Sequence, residues 1–383
     1  MIKNRLAARR IASAAAVVSL ATFGLAACGS DPVTTGSAEP GGTDTAASTP
    51  SDLACPAGKL TGEGSTARAN AMAEVISGYG AACGNKATIE YNATGSGAGI
   101  KQFYGGLVDF AGSDSALKSE EKDGVVETEK AAERCGGNPA WNLPMVVGPI
   151  AFAYNLEGVD KLVLTPEVLA QIFTGKITTW NDEKIAALNS GTELPDTKIA
   201  VFFRSDESGT TENVARFLKG AGNGAWSAEP SKSWTGAGEG KNKSSGVAEG
   251  VASTPGGLSY MEWSYAKDNT LPTVQVDNGG GPVELTGETV GKALAEAEIK
   301  GEGNDLVLSL KYTDTGAGAY PALLVTYQIV CSKGLPAEST AVLKDFLGYF
   351  AKPETQKGLE EIGYAPLPSE LQTKVAAAVE AIS

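Results

Sequence analysis

Ala87-Thr88-Ile89-Glu90-Tyr91-Asn92-Ala93-Thr94-Gly95-Ser96-Gly97-Ala98-Gly99-Ile100-Lys101-Gln102-Phe103-Tyr104-Gly105 reads as an alternating strand to Tyr91, a glycine-rich turn over Asn92–Gly99 and a helix from Ile100. A second unit repeats the grammar: the apolar run Ile199–Phe203 leads into Arg204, turns at Ser205–Gly209 and enters a helical stretch Thr210–Leu218. Strand, turn and helix in alternation predict an α/β architecture with largely parallel sheets. Residues 55–383 are long for a single hydrophobic core and predict two domains. Leu143–Pro149 and Tyr320–Tyr327 are buried-type strands with a proline near their start, and two such segments running between the domains would form a hinge. On that reading residues 55–149 and 320–383 make domain I, and 150–319 make domain II. By spacing alone the same segments also suit ordinary core strands.

Both ends of the argument about location lie before residue 55. Lys3, Arg5, Arg9 and Arg10 precede an apolar run that reaches Leu25-Ala26-Ala27-Cys28, the pattern of a secretion signal over residues 1–27. Small residues before Cys28 resemble a bacterial lipobox, which implies a lipid on Cys28 and attachment to the outer face of the cell membrane. Buried acyl methylenes contribute roughly 0.8 kcal/mol each, enough for two or three chains to hold a folded domain at a bilayer. Residues 28–54, rich in Gly, Ser, Thr, Pro and Ala, read as a disordered tether.

Removing residues 1–27, which carry four basic and no acidic side chains, takes the net charge from −14 to −18. An acidic exterior excludes nucleic acid as a partner, and it means that an anion must be held by local donors against the overall field. The chain has no histidine, so the commonest general base and zinc ligand are missing. No catalytic residue, metal or cofactor is expected. With Cys28 lipidated, Cys55, Cys83, Cys135 and Cys331 remain and allow three pairings, of which Cys55 with Cys83 and Cys135 with Cys331 is the one we expect.

Four short stretches share a character: Gly62–Thr66, Gly95–Gly99, Ala111–Asp114 and Arg204–Thr210. Three of them open expected helices, where unpaired N–H groups and partial positive charge favour anions. Each alone is equally a plain helix cap. Their recurrence beside Arg204, whose planar fork suits oxyanions, points to a tetrahedral anion. The glycine- and lysine-rich run Thr235–Gly246 fails as a Walker loop, because Thr235 stands where a glycine is needed and Asn242 follows Lys241. It reads as a surface loop.

These stretches, with Tyr91–Gln102 and Asp109–Asp114, and with Gly175–Asp182 and Gly257–Trp263 as further matches, resemble the periplasmic phosphate-binding proteins of phosphate-specific ABC transporters. The resemblance covers residues 60–370 and implies a two-domain periplasmic-binding-protein (Venus flytrap) fold with a two-crossing hinge. It also implies hydroxyl and backbone donors from Thr66, Ser96, Ser208 and Thr210, backbone donors from Ala67 and Gly209, the charge of Arg204, and the carboxylate of Asp114. Ala67 departs from the aromatic residue frequent there in the family. The implied partners are inorganic phosphate and the permease subunits of an importer, with the receptor a monomer.

Asp114 discriminates among anions, because an acceptor-only carboxylate repels an oxyanion that brings no proton. Hydrogen phosphate brings one and sulfate does not. Asp206 is placed to hold Arg204, with capping or a surface ion pair as the alternative. By physics alone Trp180 and Tyr260 are packing residues. A sulfate or molybdate receptor would not need Asp114; a secreted phosphatase using Ser208 would need a base that the chain lacks; and a surface adhesin remains compatible with the anchor and tether. The segment Lys118–Ala140 suggests no function by itself.

Overall fold

The computed structural model describes residues 53–313 and 315–383. The signal segment, Cys28 and nearly all of the expected tether lie outside the described residues. The described residues form one compact unit.

An eight-stranded sheet organises the described chain: β1 (Gly58–Gly64), β2 (Ala87–Ala93), β3 (Phe110–Ser113), β4 (Ala140–Tyr154), β5 (Ala200–Arg204), β6 (Glu239–Lys241), β7 (Gly257–Glu262) and β8 (Leu323–Cys331), in the order β2-β1-β3-β8-β4-β7-β5-β6. The outer strands are parallel, β2 and β3 on β1 at one side and β6 and β7 on β5 at the other. The centre is antiparallel, β3 to β8, β8 to β4 and β4 to β7. This corrects the expectation of largely parallel sheets. The parallel strands follow from strand–helix units, whereas the central strands are long returns that no local periodicity encodes.

β4 explains how one sheet serves both halves. Ala140–Pro149, apart from Met145 at a register shift, pair with β8, and Ile150–Tyr154 pair with β7. The two segments singled out by their prolines therefore lie on adjacent strands. Pro144 sits opposite Tyr327, next to a register shift between Thr326 and Tyr327, where a missing N–H is tolerated.

Helices α1 (Ala69–Ala82), α2 (Ser96–Tyr104), α3 (Glu127–Arg134), α4 (Gly209–Ala221) and α5 (Lys243–Ser253) follow strand ends or loops near the site. The glycine-rich turn ends sooner than its composition suggests, and α2 begins at Ser96 rather than Ile100. Gly99 inside it is required by packing, since a Cβ there would lie 2.4 Å from Gly64 Cα. α4 is capped by Ser208, whose Oγ accepts the Thr211 N–H at 3.2 Å. Thr235–Gly246 is only partly a surface loop: it contains β6, and Ser244 in the first turn of α5 is buried.

The packing reading of Trp180 and Tyr260 holds, both being fully buried. Phe173 and Trp234 pack on Tyr260 with centroids 5.9 and 5.1 Å away. That fixes its hydroxyl against Thr211 Oγ1 at 2.6 Å and the Arg204 N–H at 3.2 Å.

Cys55 bonds Cys83, and Cys135 bonds Cys331, as expected. The second bridge spans 196 residues of sequence and the first 28. Loop closure in the unfolded chain costs more entropy for the longer loop, so replacing Cys135 and Cys331 by Ser should lower stability by about 2–4 kcal/mol. Denaturant titration of both double-serine variants tests this, and a larger loss from the Cys55 and Cys83 replacement would contradict it.

Candidate functional site

The ends of β1, β3 and β5 and the first turns of α2 and α4 converge. Gly209 allows the two helix starts to meet: a Cβ there would lie 2.5 Å from Ser96 Oγ and 2.7 Å from Asp114 Cβ. The Gly97 N–H donates to the Glu207 carbonyl at 3.0 Å, and Lys101 pairs with Glu207 at 2.6 Å. Thr66, Ala67, Ser96, Asp114, Arg204, Ser208 and Thr210 are all buried.

Asp114 has a nearly complete set of partners. Ser65 and Thr326 hydroxyls donate to its Oδ1 at 2.6 and 2.9 Å, and the Ser96 hydroxyl donates to Oδ2 at 3.1 Å. A carboxylate offers about four lone-pair sites, which leaves room for one further donor. Burial, and then the charge of Glu262, push Asp114 up to about 6 against the opposing hydrogen bonds and Arg204.

Arg204 Nε donates to Asp206 Oδ1 at 2.7 Å, and one terminal nitrogen donates to the other carboxylate oxygen. The second terminal nitrogen donates to Ser244 Oγ at 3.0 Å. Burial alone would lower the guanidinium, but Asp206 more than offsets it; the same pair pulls Asp206 below its usual value against its own burial. A second guanidinium, Arg68, is buried behind the site, donating to the Tyr327 carbonyl at 3.2 Å and to Gln328, and lying over the Tyr91 ring at 5.2 Å. Burial lowers its pKa, with Tyr91 and Asp114 acting the other way.

The remaining expected residues are brought together with specific hydrogen bonds. Thr66 and Ser244 hydroxyls meet at 2.7 Å. The Ala67 N–H points to Ser65 Oγ at 3.0 Å, and the Ser208 N–H to the Lys232 carbonyl at 2.9 Å. The Ser208 hydroxyl, which accepts at the helix cap, keeps its own proton for another acceptor. Gly209 and Thr210 lie in the first turn of α4, where N–H groups have no intrahelical acceptor. The Thr210 hydroxyl donates to Glu262 Oε1 at 2.5 Å.

Ser65, Ser244, Glu262 and Thr326 belong to this cluster and were not singled out by sequence. Ser65 and Glu262 stand inside quoted motifs, so their positions were marked but not their roles. Ser244 was hidden in a low-complexity run, and Thr326 in an apolar strand. Among the described residues the grouping with metal-ligand spacing is Cys55, Cys83 and Asp345, and both sulfurs are in a disulfide.

The profile of the PBP superfamily domain matches residues 24–354. The phosphate-binding protein PstS2 of Mycobacterium bovis (strain BCG / Pasteur 1173P2) is 43% identical over 384 residues, 98% of this chain and 99% of its own length. The chain belongs to the PstS phosphate-binding protein family. Another PstS relative, from Xylella fastidiosa (strain Temecula1 / ATCC 700964), is 32% identical over 83% of this chain and 84% of its own. Two solved structures share the fold. A high-affinity periplasmic phosphate-binding protein (PfluDING), bound with phosphate at pH 8.5, superposes with a TM-score of 0.68 at 22% identity, covering 83% of this chain and 93% of its own. The phosphate-binding protein of Stenotrophomonas maltophilia gives 0.64 at 19% identity with the same coverage. The two-domain α/β fold of the PstS proteins is thus the fold of this chain.

Proposed function

We propose that this PstS-family chain is an extracytoplasmic receptor that binds inorganic phosphate and delivers it to the membrane subunits of an ABC importer. The observation that carries the reading is Asp114: a buried carboxylate with one acceptor position left, placed against Arg204 and the first turn of α4. An anion site containing such an acceptor suits a ligand that is both negatively charged and protonated. Thr66 and Ser208 supply hydroxyl donors and Gly209 and Thr210 the N–H groups of the α4 first turn, with the Ala67 N–H held by Ser65 and the Ser96 hydroxyl by Asp114 beside them, and Asp206 holds the Arg204 fork in plane.

The ligand sits between domain I, residues 55–149 and 320–383, and domain II, residues 150–319, with β4 and β8 as the crossings. Donors from both domains are what a closing hinge needs, since a ligand shifts open and closed populations only by preferring one of them. No step in this function requires catalysis, and the described groups offer no activated nucleophile for a phosphatase. A lipid on Cys28 holds the receptor, as a monomer, at the outer face of the membrane.

Calorimetric titration of ligand-stripped protein tests the reading. Phosphate should bind tightly and sulfate weakly at neutral pH. Two like charges about 4 Å apart at an effective dielectric near 20 repel by roughly 4 kcal/mol, an upper bound on what Asp114 contributes against sulfate. Asp114→Asn should therefore shift the phosphate-to-sulfate affinity ratio toward sulfate by at least about tenfold. Equal binding of the two anions by the wild-type protein would defeat the reading.

A further inference from the structure

Arg68, the residue before α1, is fully buried, and its guanidinium carbon lies 5.2 and 5.8 Å from the ring centroids of Tyr91 and Phe350. Its hydrogen bonds go to neutral atoms, the Tyr327 carbonyl, the Met72 sulfur and the Gln328 side-chain oxygen, while Nε has no partner. Among the described residues it has no ion-pair partner, and Asp114 is the carboxylate whose charge reaches it. A guanidinium keeps its charge when buried, and a buried cation without a paired carboxylate is costly to fold. Packing alone gives no reason to place one behind an anion site.

We propose that Arg68 is an affinity-determining residue of the phosphate site, a second guanidinium that acts from behind the ligand by its charge and by fixing two of the hydroxyls on Asp114. The inference rests on the phosphate-receptor reading and extends it. A Cβ on Gly112, two residues before Asp114, would lie 3.0 Å from Arg68 Cδ and 2.3 Å from the Tyr91 hydroxyl oxygen. That hydroxyl donates to the Ser65 carbonyl at 2.8 Å, and Ser65 Oγ in turn donates to Asp114 Oδ1 at 2.6 Å. On its other side the guanidinium donates to the Tyr327 carbonyl at 3.2 Å, next to Thr326, whose hydroxyl donates to the same Asp114 oxygen at 2.9 Å. Arg68 therefore braces both groups that hold Asp114 Oδ1.

Charge gives the larger effect. Arg204 is paired with Asp206, so together they present no net charge to an anion. Lys118, Lys232 and Arg216 share Glu212. Arg68 is the buried cation whose charge is not spent on a paired carboxylate, and it offsets Asp114. Two unit charges about 12 Å apart at an effective dielectric near 20 interact by about tenfold in affinity, and by more when they are closer. Arg68 packs against Gly112, two residues from Asp114, well inside that range.

The experiment is phosphate calorimetry and urea unfolding of ligand-stripped wild type, Arg68→Lys, Arg68→Met and the double variant Arg68→Met with Gln328→Leu. The double variant removes both sides of a buried hydrogen bond, so neither group is left unpaired. It should bind phosphate at least about tenfold more weakly than wild type while its urea midpoint stays level or rises, because apolar groups in place of a buried charge are neutral or stabilising. Arg68→Lys keeps the charge and should bind more tightly than Arg68→Met. A merely structural arginine would give the opposite split, a lower midpoint with unchanged phosphate affinity. The proposal is overturned by a double variant within about threefold of wild-type affinity, by Arg68→Lys binding no better than Arg68→Met, or by failure of both methionine proteins to fold. Phosphate binding by the wild type with an unaffected double variant leaves the receptor reading standing, whereas no phosphate binding by the wild type overturns both.

Discussion

Arg204→Ala should weaken phosphate binding by about three decades, the largest single effect at the site. Truncating one partner of a buried, hydrogen-bonded charge pair costs about 2–5 kcal/mol, and every 1.4 kcal/mol is tenfold in affinity. Three things are lost together. The guanidinium is a buried cation at the end of β5, its fork is held flat by two hydrogen bonds to Asp206, and its third contact fixes Ser244 against Thr66. Arg204→Lys separates charge from geometry, because an ammonium keeps the charge but cannot make the planar two-nitrogen contact. The lysine variant should recover part of the lost affinity. Calorimetry with phosphate reads both; an Arg204→Ala protein within tenfold of wild type would show that the helix N-termini, rather than the guanidinium, hold the anion.

How much of this could be read from sequence depended on how local the signal was. β2 and β5 were legible because alternation and apolar runs are properties of neighbouring residues, and α4 because a capping serine precedes a helical stretch. The start of α2 was misplaced by four residues: glycine disfavours helix in isolation, yet Gly99 is kept in the helix by the close approach of β1. The antiparallel centre of the sheet was not legible, since strand direction there is set by where β4 and β8 return after some 170 intervening residues. At the site, the residues that converge were visible as cap-like serines and threonines beside an arginine. Their hydrogen bonds were not, because Glu262, Thr326 and Ser244 reach them only through tertiary packing. Glu262 shows the limit well: a glutamate after a buried strand is unremarkable until Thr210 and Asp114 are folded beside it.

Lys118–Ala140, which suggested no function in sequence, acquires one from its contacts, and this gives the second large expected effect. Glu212 on α4 is fully buried and is met by Lys118 at 3.0 Å, by the Ser115 hydroxyl at 2.9 Å, by Arg216 at 2.7 Å and by Lys232 at 3.7 Å. Lys232 also reaches Glu127 of α3 at 3.6 Å. Burial would raise Glu212, but Lys232, Lys118 and Arg216 hold it down at about 2 from an ordinary 4.5. A depressed carboxylate contributes stability that is present above its unfolded pKa and lost as pH falls through the folded one, so this contribution should disappear between about pH 4.5 and 2. At neutral pH, Glu212→Ala leaves three cations without their shared counter-charge and should cost about 3–5 kcal/mol of stability. Lys118→Met is the sharper variant, because it removes only the arm that comes from the segment after β3. Losing one charged hydrogen bond of about 1.5–3 kcal/mol there should weaken phosphate binding by roughly tenfold to a hundredfold while changing the urea midpoint little. That split follows if the Lys118–Glu212 contact forms when the proposed domains close on the ligand. Should Lys118→Met lower stability and leave phosphate affinity unchanged, the contact belongs to the resting fold and the segment is only a brace.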